Sequence, residues 1–205
     1  MSGVVIIGAG PGIGQAVARR FVREGLPVVT IARSERAVPG ARALVADATD
    51  EDALRGALNV AAGELGTPDV LVYNAAIIQP DGPGDLSARG HLDAWAVNVV
   101  GALTAAAHVA PAMAERGSGT ILITGGMPEP DPRYVSLSLG KAGVRTLVSL
   151  LDAQYGPSGV HVASVTVDGP VAPGTPFDPD DIAEHYWALH TQERPWAAEV
   201  VHTGQ

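Results

Sequence analysis

The 205-residue chain is 46% hydrophobic and 17% charged, enough apolar material for a sizeable core and too little charge for a disordered polypeptide; two independent catalytic domains do not fit into this length. Its 13 basic and 22 acidic residues leave a formal charge of -9 with no run of Lys or Arg, which disfavours a nucleic-acid surface. No cysteine is present, which excludes disulfides, thiolate metal sites and a cysteine nucleophile.

Met1-Ser2-Gly3 runs straight into an apolar strand, with no basic leader, long apolar stretch or cleavage site. A cytoplasmic protein without a membrane partner is the expectation. Short β-branched runs then alternate with longer Ala-rich amphipathic stretches, the pattern of repeated βα units. Strands are predicted at 4–7, 28–32, 43–46, 70–73, 120–124, 161–167 and 199–202, and helices at 13–24, 51–64, 92–115, 136–155 and 180–191, with Asp50 and Asp178 as helix caps. Aromatic residues are only 4%, so Val, Leu, Ile and Ala must build the core, as suits a parallel sheet wrapped by helices. The fold class expected is α/β: a single doubly wound Rossmann domain over 1–205 with a seven-stranded, mainly parallel sheet. Pro/Gly-rich segments at 79–84, 128–132 and 169–179 follow strands, where loops of such a sheet border the ligand crevice.

The first βα turn reads Gly8-Ala9-Gly10-Pro11-Gly12-Ile13-Gly14, between an apolar strand and a helical segment. Glycines let a backbone turn tightly and approach a pyrophosphate, and the helix N-terminus beyond offers unpaired N–H groups to it. Dinucleotide binding by Gly8, Gly12, Ile13 and Gly14 is therefore expected. At the end of the second strand, Ile31-Ala32-Arg33-Ser34 presents no acid that would bind a ribose 2′-hydroxyl. Arg33 can pair with a 2′-phosphate and Ser34 can donate to it, so NADP(H) is predicted over NAD(H).

The spacing of Gly8, Gly12 and Gly14 resembles the GxxxGxG of the short-chain dehydrogenase/reductase family, and further matches follow in order over essentially the whole chain. Asp47 follows the third strand, where that family places an Asp beside the adenine. Asn74-Ala75-Ala76 resembles its NAG motif, Asn98 its mid-helix Asn, and Lys141 the lysine of YxxxK. Val171 and Thr175, in Asp168-Gly169-Pro170-Val171-Ala172-Pro173-Gly174-Thr175, keep the spacing of its PGxVxT cofactor loop with the Pro-Gly order inverted. The resemblance implies an oxidoreductase in which Lys holds the ribose and lowers a Tyr pKa, Ser polarises a carbonyl and Asn supports a water. It also implies a homodimer or homotetramer through the two long helices.

Two of these four catalytic positions depart from the pattern. Leu137 stands four residues before Lys141, where the Tyr belongs, and aligning the fifth strand puts Gly126 at the Ser position. Thr124 takes the Ser position if residues are counted back from the YxxxK without gaps. Tyr134, seven residues before Lys141, falls on nearly the same face if helix exists there, but about 10.5 Å along the axis instead of about 6 Å; from a loop its ring could fold over the site. Backbone N–H groups of Gly125 and Gly126 are candidates to replace the Ser hydroxyl, while Ser136 and Ser138 have no base marked to activate them.

The segment after Thr175 passes almost at once into the last helix, so the substrate lid is expected to be nearly deleted. On that helix His185, Tyr186, Trp187 and His190 form a cluster read as packing or interface, without metal-ligand spacing. No nucleophile elbow, paired-carboxylate helix or phosphate-transfer loop is present. The sequence thus points to an atypical NADP(H)-dependent oxidoreductase on a small carbonyl, alcohol or imine substrate, with an NADP(H)-binding protein lacking redox turnover as the alternative.

Overall fold

The computed structural model describes residues 3–205. Its strands are β1 (Val4–Ile7), β2 (Val28–Ala32), β3 (Ala41–Val45), β4 (Val70–Tyr73), β5 (Gly119–Thr124), β6 (Val160–Val167) and β7 (Glu199–His202). All pair in parallel in the order β3-β2-β1-β4-β5-β6-β7. The sheet is therefore wholly rather than mainly parallel, and doubly wound. The chain winds outward from β1 to β3, then returns past β1 to start β4, so a crevice opens at the strands' C-terminal ends between β1 and β4.

Strand alternation sorts the core into two layers. Val5, Ile7, Leu71, Ile121 and Ile123 face α2 (Glu51–Leu65), α4 (Gly101–Arg116) and α5 (Val135–Tyr155). Val4, Ile6, Val72, Leu122 and Val165 face α1 (Ile13–Arg23) and α6 (Pro179–His190). Asp50 and Asp178 cap α2 and α6, accepting from the N–H groups of Ala53 and Asp180. β3 starts two residues and ends one residue earlier than its sequence pattern suggested, at the sheet edge, where one face carries little apolar signal.

The helix expected at 92–115 begins instead at Ala88, capped by Ser87, and is not uniformly α. α3 (Ala88–Trp95) passes through a π-helical turn, Ala96–Val100, into α4. A π turn frees backbone groups from the regular ladder, and here the Tyr73 hydroxyl donates to the Val97 carbonyl at 2.6 Å. Burial pushes the Tyr73 hydroxyl pKa well up, keeping it a donor. Gly101 is required beneath it, because a Cβ there would lie 2.2 Å from the Tyr73 hydroxyl oxygen. The span Ala88–Arg116 is long and apolar enough to cross a membrane by length and composition, but half of its apolar window is buried, as in a core helix.

Candidate active site

The crevice is a cleft of about 1040 Å³ at the C-terminal ends of the strands. One end is built by the glycine-rich turn. Gly8 has φ +89°, and a Cβ on it would lie 2.3 Å from the Ala75 backbone nitrogen, so this turn and the chain after β4 meet only because residue 8 has no side chain. Gly14 does not line the cleft; a Cβ there would reach Gly8 O at 2.2 Å, so its part is to let α1 pack onto the turn. Gly10 and Gly12 face open space, with only Val171 Cγ1 at 3.9 Å from a Cβ at Gly12. α1 also starts without a side-chain cap. Open room over uncapped N–H groups is a cradle that fits a dinucleotide pyrophosphate.

Ile13, Arg33, Ser34, Asp47, Asn74 and Val171 line the same cleft, and Arg36 joins them. Sequence reading passed over Arg36; its position three residues after Arg33 in the same loop was the available signal. Asp47 accepts from both the N–H (2.9 Å) and the hydroxyl (2.8 Å) of Thr49. The Thr49 N–H, more than the Thr49 hydroxyl or the Arg33 charge, holds the Asp47 carboxyl below its ordinary range. Thr175 lies outside the cleft: its hydroxyl donates to Ala172 O at 2.7 Å and accepts from the Phe177 N–H, so it is spent within its own turn.

At the other end, Lys141, Leu137, Tyr134, Gly126 and Thr124 come together as cleft-lining residues. Lys141 is buried and donates from Nζ to the Thr124 carbonyl at 2.7 Å. Burial alone pushes its amine down from 10.5 to about 8. Leu137, one turn earlier on α5, presents only carbon. Tyr134 is the N-cap of α5 with φ -142° and ψ 57°, so it lies outside the helix and the two-turn separation does not apply to it.

The expectation that Thr124 replaces the catalytic Ser is corrected by the direction of its side chain. Thr124 Oγ1 donates to Asn74 Oδ1 at 2.8 Å and accepts from the Tyr186 hydroxyl at 2.6 Å, and Asn74 Nδ2 donates in turn to Gly8 O at 2.8 Å. This chain lies in the α1/α6 layer, across the sheet from Lys141. Gly125 is corrected as well: its N–H is spent on Val165 O at 2.8 Å, and a Cβ there would meet Thr166 Oγ1. Gly126 lies beside the lysine, since a Cβ on it would be 3.7 Å from Lys141 Cε. The next residue, Met127, has φ +49°, an uncommon value outside glycine. Arg145 Nη1, one turn beyond Lys141, holds this turn by donating to the carbonyls of Gly126 (3.2 Å) and Met127 (3.1 Å).

Asn98 sits inside the π turn, buried, and does not line the cleft. Its Oδ1 accepts from the Ile77 N–H at 2.8 Å, which ties the chain after β4 to the helix. Ser136 is also engaged. Its N–H (2.9 Å) and hydroxyl (3.1 Å) donate to the buried carboxylate of Asp81, which caps α5 from a loop 55 residues away. Ser138 donates to Asp131 O at 3.3 Å. The α6 cluster is packing: Tyr186 is fully buried, Trp187 meets Phe21 edge-on at 5.6 Å, His190 pairs with Thr120 and His185 with His202.

The family model for short chain dehydrogenase matches residues 2–176. A cis-4-hydroxycyclohexanecarboxylate dehydrogenase of Sinomonas cyclohexanicum is 33% identical over 192 residues, covering 85% of this chain and 76% of that protein. A glucose 1-dehydrogenase of Gluconobacter oxydans is 29% identical over 185 residues, covering 83% and 70%. Among solved structures, a metagenomic short-chain oxidoreductase in complex with NADP superposes with a TM-score of 0.88 at 26% identity, covering 98% of this chain and 96% of that one.

Proposed function

Taking as premise that the chain belongs to the short-chain dehydrogenase/reductase family of oxidoreductases, we propose that it is an NADP(H)-dependent enzyme acting on a small carbonyl, alcohol or imine compound, with an active site that departs from the family's usual set. The observation that carries the proposal is the joining, in one cleft, of the open glycine cradle at Gly10 and Gly12 with the buried amine of Lys141.

The first turn of α1 holds the pyrophosphate. Arg33, Arg36 and Ser34 receive a 2′-phosphate, and Asp47 faces the adenine. The presence of NADP in a relative of 26% identity supports this cofactor choice. When bound, the reduced nicotinamide supplies the hydride. Leu137 and Gly126 supply no hydroxyl, so the usual Tyr and Ser functions are absent at those positions. Val171 lines the cleft while α6 starts at Pro179, which supports a shortened substrate lid.

Exposed Leu92, Trp95, Val100 and Leu103 on the α3–α4 span and Leu139 and Leu150 on α5 support pairing into a homodimer or homotetramer through these helices. Sedimentation of the purified protein tests this, and a monomer carrying all six residues exposed would sink it.

The test of function is NADPH oxidation with a panel of ketones, aldehydes and imines, alongside NADPH and NADH affinities. Turnover with NADPH and weaker NADH binding are expected. Stoichiometric NADPH binding without oxidation across the panel would favour a binding protein, the reading that the carbon-only Leu137 side chain supports.

A further inference from the structure

Lys141 is the single lysine among the 13 basic residues of the chain; every other one is arginine. Arginine supplies charge but does not release a proton in proteins, whereas a buried lysine titrates. We propose that Lys141 Nζ is itself the proton donor to the substrate oxygen in carbonyl reduction, and the acceptor in the reverse direction, in place of a phenol. This rests on the oxidoreductase reading above and assigns the proton step within it.

The geometry leaves the amine facing the reacting space. One N–H is held by Thr124 O at 2.7 Å, which fixes Nζ under the end of β5 and leaves two further donors. Neither neighbour competes for its hydrogen bonds, since residue 126 has no side chain and Leu137 has no polar atom. The competing hydroxyls are committed elsewhere: Thr124 to Asn74 and Tyr186, Ser136 to Asp81, and Ser138 to Asp131. The other titratable groups lining this end are Tyr134, Glu129, Asp131, Arg133 and Asp168. None of them offsets the burial that lowers the amine to about 8, so the lysine both gives up and regains a proton near neutral pH.

The step balances. As hydride reaches the carbonyl carbon, the C=O π pair moves onto oxygen, an Nζ–H bond of Lys141 breaks and an O–H bond forms. The lysine is left as a neutral amine, the form its burial favours, and recovers its proton from water.

Labelling with 15N-lysine gives one Nζ resonance, which is expected to titrate near 8. With saturating NADPH, Lys141→Arg is expected to keep measurable dinucleotide binding while ketone reduction falls roughly 10²- to 10⁴-fold. Reduction of a preformed iminium, which needs no proton, is expected to fall far less. Lys141→Cys alkylated with 2-bromoethylamine restores an amine on a chain with no other cysteine. Because that amine is more acidic than lysine's, recovered ketone reduction is expected with its pH profile moved to lower pH, and thermal melts of each variant check folding. An unmoved profile in the alkylated protein, wild-type ketone turnover by Lys141→Arg, or complete loss in Tyr134→Phe would overturn the assignment. Absence of NADPH oxidation by the wild type would instead overturn the oxidoreductase reading, while an Nζ resonance titrating at the ordinary lysine value sinks the Lys141 assignment whether or not there is turnover.

Discussion

Thr124 and Lys141 meet through the backbone of β5. Lys141 Nζ donates to the Thr124 carbonyl at 2.7 Å, while Thr124 Oγ1 faces Asn74 and Tyr186 in the opposite layer. The same residue therefore holds the amine with its main chain and closes a buried polar chain with its side chain. Thr124→Val is expected to leave Asn74 Oδ1 and the Tyr186 hydroxyl without this partner and to cost about 1–3 kcal/mol in urea denaturation. Its kcat should stay within about tenfold of wild type, short of the loss typical of a proton-transfer group. A larger loss of kcat at unchanged stability would return Thr124 to the chemistry.

Leu137→Tyr places a phenol one helical turn before Lys141, on a residue that already lines the cleft. Ketone reduction is expected to rise about tenfold or more, with a pH profile that no longer follows the lysine alone. Steady-state kinetics with one ketone substrate measure this, and unchanged kcat would show that proton delivery does not limit the wild type.

Arg33→Ala and Arg36→Ala are each expected to weaken NADPH roughly 10- to 100-fold, the value of about 1.4–2.7 kcal/mol lost from a charged hydrogen bond, while NADH affinity stays near wild type. Fluorescence titration of both dinucleotides decides it. A parallel loss for NADH would place these arginines away from the 2′-phosphate.

The glycine-rich turn separates a folding glycine from a binding glycine. Gly8→Ala forces a Cβ to 2.3 Å from the Ala75 backbone at φ +89°, and is expected to destabilise the protein by about 2–4 kcal/mol. Gly10→Ala meets nothing within 4 Å, so stability should be unchanged while dinucleotide affinity falls. Chemical denaturation and NADPH titration of the pair check both halves.

Burial of Lys141 also links stability to pH. Its folded-state value of about 8 lies below the ordinary 10.5, so between these the unfolded chain binds more protons and stability rises with pH; the contribution is lost as pH falls through about 8. Unfolding free energy of wild type minus that of Lys141→Met is expected to increase from pH 7 to pH 10. A flat difference would mean that the amine is hydrated in the folded state.

β1, β2, β4 and β7 were legible to the residue because short β-branched runs bounded by turn residues have few alternatives. The glycine turn was legible because local backbone geometry carries it, and the place of Arg33 and Ser34 at the cleft was legible because they follow directly on the second strand. The direction of the Thr124 hydroxyl was present in the alternation of Ile121, Leu122, Ile123 and Thr124, which puts it with Leu122 on the α1/α6 side. The π turn around Asn98 was not legible, because one extra residue in a turn hardly disturbs the apolar period. Asp81 capping α5 was hidden by the 55 residues between it and Ser136. Lys141 stood out by its motif, but its isolation among arginines became informative only once its burial was known.

The cap that Asp81 places on α5 gives the two rims of the cleft unequal mechanical character. The Asp81 backbone also pairs with Arg133 O and with the Val135 N–H, so the chains after β4 and β5 are riveted together at the first turn of α5. Parting them would uncap a helix and strip a buried carboxylate of its donors. The rim from Val171 to Thr175 is held by hydrogen bonds inside its own turns, such as Ala172 N–H to Phe177 O, and is anchored to β7 only beyond it, where His202 meets Pro176 O and the Phe177 ring. Ligand traffic is therefore expected at that second rim, and the rate of dinucleotide release should respond to changes at 171–175 while remaining insensitive to changes in the solvent-facing residues of the riveted side.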